Sequence, residues 1–502
     1  MAQPKELTDE EVSRRAAEDL EFLDNFGEPL TEPLTLSRAM ARALKYNLDY
    51  RLEWSKGVLA ETDLNLSRYE LLPDFVAQAG FTSRSNFSGA SSRSLITGEE
   101  SLEFSTSQDR DIFNANLELS WNVLDFGISY YRAKQGANEV LIAEEEKRKV
   151  IHRLLQNVRT AYWRAVAAKR LEPRLTNVKT EVAQALARSR EISDNNLDDP
   201  LQSLRYRREL IDIKRQVEEL EENFRMARIQ LASLMSIRDP SQVDVVVPPQ
   251  QTGELELEHT LEELEQKALR QRPEIRQVDY RKRNAEHAAR AALMDILPVP
   301  RLHVSQNHND NSFLFNNDWL IAGAQVSWNL LRFVRYPAAK RKTDAEQQAL
   351  DARSLTLSMA ILTQVKVSMA QFLLSSKQFE TQTAHMEVQS LIDNQVEAMA
   401  STRKIGKQTR IREAMNTLLA EIRYNVAWAN LQKSHANLLM AAGLDPRIDS
   451  LESRSLDEIE RVLKENWPDS DIGSALEAGD DSVSVVEAEA GPVSIVSSDA
   501  WN

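Results

Sequence analysis

The groups that do acid–base, nucleophilic or metal chemistry are thinly spread along these 502 residues. The seven histidines form no His-x-x-x-His or His-Glu-x-x-His pair, the spacing that sets two metal ligands on one helical face. His303 and His308 fall in or near a strand and read as pore or loop residues. Cys is 0, which removes thiol nucleophiles, thiolate zinc sites and disulfides. Gly is only 14, and no Gly-rich phosphate loop occurs. Acidic clusters such as Glu144, Glu145 and Glu146, or Glu218, Glu219, Glu221 and Glu222, lie among Arg and Lys in helical stretches and read as solvated ion-pair faces. The 11 Met do not fall into copper-ligand spacing. The expectation is a chain that is not an enzyme and holds no cofactor and no metal. A net charge of −15 also argues against a nucleic-acid partner, which demands basic faces.

What does carry information is a strand. Phe113-Asn114-Ala115-Asn116-Leu117-Glu118-Leu119-Ser120-Trp121-Asn122 alternates apolar and polar residues, the period of a strand with two unlike faces. Its end returns later: Leu119-Ser120-Trp121-Asn122-Val123-Leu124 is matched by Val326-Ser327-Trp328-Asn329-Leu330-Leu331. Around these strands the chain is strongly helical. Low Gly and Pro (14 and 16) leave few turns, so the elements must be long.

In chain order, residues 1–33 form a polar lead-in with a short helix near Glu10–Leu23. Thr35 or Ser37 caps a helix that runs on to Leu71-Leu72-Pro73. Strands follow at about 74–86 and 111–124, separated by a solvated Ser/Gly/Asn-rich loop over 84–109. A heptad seam then runs through Ile151, Leu154, Val158, Ala161 and on to Ile192. It turns at Asp194–Pro200 and returns through Leu210, Ile213, Val217 and Leu220 to Pro240, an antiparallel helical hairpin. A linker over 241–260 leads to a second unit, 261–446. That unit has a helix ending at Leu297-Pro298, strands at about 300–310 and 319–331, a long helix opened by Pro337, a turn at Ile405-Gly406-Lys407 and a return helix. Pro73 and Pro298 keep the same offset as Ala43-Leu44 and Ala268-Leu269. Trp121 and Trp328 keep an offset 18 residues shorter, so the first unit carries an insertion between its strands. The first unit therefore spans 34–240 and the second repeats it. Residues 447–502 form an acidic tail, largely disordered, with one short helix near Leu456–Lys464.

Four strands cannot close a barrel, and an open sheet edge in lipid leaves backbone groups unpaired. No stretch of roughly 18 to 20 apolar residues supplies a spanning helix. Several chains must then share one barrel, and three copies give twelve strands. Phe113, Ala115, Leu117, Leu119 and Trp121 would face lipid, and Asn114, Asn116, Glu118, Ser120 and Asn122 the water inside. Trp121 and Trp328, at strand ends, would sit at the membrane interface.

The duplicated helix-strand-strand-helix-helix order, Leu34-Thr35-Leu36 leading into Ala43-Leu44-Lys45-Tyr46-Asn47, the two Ser-Trp-Asn strand ends and Leu444-Asp445-Pro446 together resemble the TolC-like outer membrane efflux proteins. The resemblance covers roughly residues 34–446. It implies a mainly α fold with a small β part, in which coiled-coil hairpins form an α-barrel tunnel and four strands per chain enter a twelve-stranded trimeric barrel. It implies a homotrimer in outer membrane lipid of a Gram-negative bacterium, working with a periplasmic adaptor and an inner-membrane transporter. It places the tunnel aperture and the adaptor-docking turns at Asn195, Asn196, Leu197, Asp198 and Asp199, and at Lys404, Gly406, Lys407 and Arg410. The family commonly has Gly in both turns; here the first has Asn196, which tolerates the left-handed conformation. Acidic residues often ring that aperture. Asp198 and Asp199 fit the pattern, whereas Arg403, Lys404, Lys407, Arg410 and Arg412 depart from it, which leaves a solvated charged tip or an Asp–Arg lock between hairpins. The chain opens with neither a signal peptide nor a lipid-bearing Cys, so a processed precursor is expected. Two other readings stay open: a soluble coiled-coil scaffold, and the same duct dedicated to type I protein secretion.

Overall fold

The computed structural model describes residues 5–101, 103–194, 200–248, 257, 259–401, 406–444 and 451–466. Asn195, Asn196, Leu197, Asp198, Asp199, Arg403 and Lys404, part of the 241–260 linker and the tail beyond 466 lie outside them.

Helix α1 (Asp9–Asp24) starts at a capping box made by Thr8 and Glu11 and buries none of its side chains. Thr35 caps α2 (Leu36–Tyr46) by accepting the Arg38 N–H. The helix expected to run unbroken to Pro73 stops at Asn47, whose extended backbone ends α2 while its side chain caps α3 (Leu48–Tyr69). Asn is among the best N-caps because its short carbonyl reaches the free N–H groups of the first turn. Asn47 also donates to the Leu234 carbonyl, so the break is held by tertiary contact.

Strand β1 (Asp74–Ser83) leads into a segment expected as a plain solvated loop. It contains a small ladder of β2 (Gly89–Ala90) with β3 (Ser105–Thr106). Strand β4 (Asp111–Asn122) passes directly into α4 (Val123–Asp194), and α5 (Pro200–Leu234) returns alongside it. The second half repeats this order with α6 (Leu261–Gln271), α7 (Pro273–Met294), β5 (Val299–Asn309), β6 (Asp318–Ser327), α8 (Leu331–Ser401) and α9 (Lys407–Ala441). The break between α6 and α7 falls at Arg272, before Pro273, where a residue preceding proline is pushed out of the helical region. Helix α10 (Leu456–Asn466) packs on α2. Pro337 lies inside α8 rather than opening it, because Asn329 Oδ1 accepts the Leu331 N–H and starts the helix earlier.

Helix α4 is the shared axis. At about 1.5 Å per residue its 72 residues run about 108 Å, twice the length of α5. Near the strands it packs on α3 and α7, close enough at Gly136 that a Cβ would lie 3.4 Å from Leu64. Asn138 and Asn284 bond across the α4–α7 contact at 2.8 Å. Further along, Ile151–Val166 bury against α2, the end of α5 and α10. Further still, Leu171, Leu175, Val178 and Val182 form one core with Leu210 to Val217 of α5 and Ile411 to Leu418 of α9. A third core joins α6 to α8 and α9 through Leu264, Val365, Phe372, Phe379 and Trp428.

Where α4, α8 and α9 meet, Arg174 bonds both Asp393 and Glu421. Burial pushes the Glu421 carboxyl above the usual range, although Arg174 pulls it down. A carboxyl raised in the folded state binds its proton more tightly there than in the unfolded chain. Its contribution to stability is therefore full below the unfolded pKa and declines as pH rises through the folded one. We predict that Glu421→Gln removes that decline: melting temperature followed from acid to neutral pH should change less in the variant than in the parent. A variant with an unchanged or steeper profile would refute this.

Candidate functional site

The four long strands form one antiparallel sheet in the order β1-β4-β5-β6. Register sorts their side chains into two unlike faces. The first face is mainly apolar: Phe75 beside Leu119 and Val304, then Ala77 beside Leu117, with Trp121 beside Leu302; Gln306 beside Leu117, and His308 with Asp318 at the far end, interrupt it. Phe75, Leu117, Leu119, Trp121, Leu302 and Val304 are all exposed there. The second face is mainly polar, with Gln78 beside Asn116 and Asn307, and Ser120 beside His303, although Val76 and Ile321 end the row of Glu118 and Ser305. Arg301 bonds Glu118 at 2.7 Å on this face. The polar face is concave and bounds a hollow of about 440 Å³ that spans all four strands from Gln78 to Trp319. Two glycines make room on it. A Cβ on Gly323 would sit 2.5 Å from the His303 ring, and one on Gly80 3.3 Å from Asn114. By register His308 belongs to the other face, where it pairs with Asp318 at 2.8 Å, although it also borders the hollow.

Both outer strands, β1 and β6, have one unpaired edge within the chain. The far end of the sheet is tied together by side chains. Asn311, buried, accepts from the Asp109 N–H and donates to the Ser107 carbonyl, and Asp109 accepts from Ser312.

At the helical end of the sheet the repeated Ser-Trp-Asn divides its labour. Asn122 Oδ1 accepts the N–H groups of Leu124 and Asp125, capping α4 without any intervening loop. Asn329 does the same for Leu331. Trp121 packs edge-on against Phe126 at 5.8 Å, and Trp328 against Phe333 at 6.2 Å. Trp328 Nε1 also donates to the Ile296 carbonyl at 3.0 Å. Both tryptophans stay about half exposed, at 41 % and 50 %. Phe126 and Phe333 were invisible as partners in the sequence, although the Trp-to-Phe spacing is the same in both halves.

At the opposite end, Gly406 is extended at the start of α9 with φ −78°, and a Cβ there would meet nothing within 4 Å. Neither space nor backbone conformation requires glycine at that position. Lys407 is the first residue of α9. Arg410 bonds Glu181 of α4 at 3.3 Å, and Arg412 donates to both carboxylate oxygens of Glu209 of α5 through Nε and Nη2. Arg410 therefore locks to a glutamate three turns inside α4. Glu181 and Glu209 were missed because only the packing of α9 on α4 and α5 brings them near. These contacts border a groove of about 310 Å³ lined by Arg188, Tyr206, Arg410 and Ile411.

One stretch of α8 is apolar enough to pass as a membrane span by length and composition, yet only 22 % of it is buried. This corrects the expectation that no such stretch exists. Leu355, Met359, Val388 and Leu391 remain exposed along α8. Among the described residues, no group of three or more His, Asp or Glu stands close enough to hold a metal.

The capping geometry predicts that Asn122→Ala and Asn329→Ala each cost about 1 kcal/mol, while Asn329→Asp, which keeps an acceptor for the Leu331 N–H, costs far less. Thermal unfolding of the extracted protein checks this, and equal losses for Ala and Asp would contradict it.

No family model matches the chain, and no curated protein matches it in sequence. Solved structures do. The outer-membrane channel OprN superposes with a TM-score of 0.62 at 16% identity, over 81% of this chain and 89% of that one. The Campylobacter jejuni CmeC outer membrane channel gives 0.64 at 14% identity, over 89% and 95%. The open state of the Neisseria gonorrhoeae MtrE outer membrane channel gives 0.61 at 16% identity, over 84% and 91%. The chain has the fold of these outer-membrane channels.

Proposed function

We propose that this chain is one protomer of a trimeric exit duct, set in the outer membrane of a Gram-negative bacterium with its helices in the periplasm. The observation that carries the reading is the sheet: one exposed, mainly apolar face, one concave, mainly polar face, and two open edges. Lipid tolerates the apolar face but not the edges, whose unpaired N–H and C=O groups each cost several kcal/mol in hydrocarbon. Antiparallel order leaves β6 of one copy free to pair with β1 of the next, and three copies close at twelve strands. Trp121 and Trp328, with Phe126 and Phe333, would form the aromatic belt on the periplasmic side. The exposed apolar stripe of α8 would be covered by a neighbouring protomer in the helical tunnel. The similar order of elements in the two halves supports an internal duplication.

In this reading the duct does no chemistry of its own. Cargo enters from an inner-membrane transporter through a periplasmic adaptor docked at the tips of the hairpins. Asn195, Asn196, Leu197, Asp198, Asp199, Lys404, Gly406, Lys407 and Arg410 would surround the aperture there. The fold similarity to three proteins described as outer-membrane channels supports the assignment.

Two measurements test it. In cells making the full-length protein, inner and outer membranes are separated and the detergent-extracted protein is sized; a trimer from the outer membrane is expected, and a soluble monomer or dimer would overturn the proposal. Charge placed on the apolar face should abolish assembly. Leu117→Asp is expected to lose the membrane-bound trimer, whereas Asn116→Asp, one residue away on the polar face, should retain it. Equal behaviour of the two would contradict the assignment of faces.

A further inference from the structure

Charge is unevenly placed on the concave face. Its ion pair, Glu118 with Arg301, and its other acid, Asp74, lie in the rows nearer the helices. The two rows beyond them are neutral. One runs Gln78, Asn116, Asn307, Trp319 across all four strands, and the next sets Asn114 beside Asn309. These six side chains border the 440 Å³ hollow. A lumen that merely holds water needs polarity, and the mixed charges of the neighbouring rows would serve it as well. Planar amides around a half-exposed indole are a narrower chemistry. A free amide offers a donor and an acceptor side by side, the spacing of neighbouring hydroxyls, and it does so without charge. Asn307 Nδ2 already donates to Ser305 and Asn309 Oδ1 already accepts the Asn311 N–H, which leaves those two one free function each. An indole face offers a flat apolar surface to a ring that carries C–H bonds on one side. Asn116 Oδ1 is buried at the base of this surface and meets no donor among the described residues.

We infer that the amide row with Trp319 is a binding site for neutral, hydroxyl-rich ligands, that is, uncharged oligosaccharide segments. Hydroxyls would bridge Gln78, Asn114 and Asn116, Asn307 Oδ1 and Asn309 Nδ2 would each add a single bond, and one sugar ring would lie on Trp319. The inference rests on the reading of the concave face as the lumen, where three copies would repeat the site around the pore. It narrows the cargo, or the molecule that occupies the pore, to one chemical class.

The test uses the full-length protein extracted in a detergent without a sugar headgroup, sized first so that assembly is established separately. Maltohexaose is titrated while tryptophan fluorescence and heat of binding are followed, with an oligogalacturonate of similar length as the charged comparison. Saturable binding of maltohexaose in the millimolar range is expected. Trp319→Ala should weaken it by about tenfold, the effect of losing one stacked ring. Asn116→Asp, nearly isosteric, should weaken it as well by adding charge, with the assembly unchanged. No saturable binding by correctly assembled protein, equal binding of the charged oligomer, or binding indifferent to both substitutions would overturn the inference. Loss of assembly in the parent protein would instead strike the reading of the fold as a membrane duct.

Discussion

An unpaired strand edge is the constraint from which the rest of this molecule follows. Within one chain the sheet ends at β1 on one side and β6 on the other. In water such edges are hydrated, and proteins tolerate them with charge or twist. In the proposed duct the exposed Phe75, Leu117, Leu119 and Val304 meet a different solvent, where hydration is absent and every backbone group must find a protein partner. Closure with further copies, as proposed, would satisfy both demands at once. It also explains why one face is concave and polar: a closed sheet has an inside, and Gly80 and Gly323 open space there for Asn114 and His303.

The sheet can impose its symmetry on the helices only if the junction between them is stiff. Each unit solves this with three consecutive residues. The serine belongs to the sheet, the tryptophan lies on the outer face against a phenylalanine, and the asparagine caps the following helix. No loop intervenes between β4 and α4. At the far end of α4, Arg174, Arg410 and Arg412 join helices of both hairpins through Asp393, Glu421, Glu181 and Glu209.

Local signals in the sequence were legible where the physics is local. Alternation in Phe113–Asn122 marked a strand with two faces, and the proline and asparagine punctuation placed the hairpins. The break at Asn47 was hidden because apolar spacing continues through it, and the decisive contact comes from Leu234, far along the chain. Pro273 was the better signal for the equivalent break. Pro337 misled in the other direction: proline often begins a helix, but the Asn329 cap had already begun this one. The ion pairs at the hairpin ends were illegible for a simpler reason. Arg412 and Glu209 are about 200 residues apart, and charge alone does not say which glutamate an arginine will meet. The amide row with Trp319 was half visible, since Asn114 and Asn116 stood out in β4, but only the register adds Gln78, Asn307 and Trp319 beside them.

Because Cys is 0, the edge pairing can be read directly by introduced cysteines. Single cysteines placed along β1 are combined with single cysteines along β6, and the oxidised protein is resolved on a denaturing gel. Pairing of β6 with β1 of another copy predicts that a few combinations, set by register, give a covalent ladder that ends at three chains. Links only within one chain, or no species above a monomer for any combination, would contradict closure of the sheet by other copies.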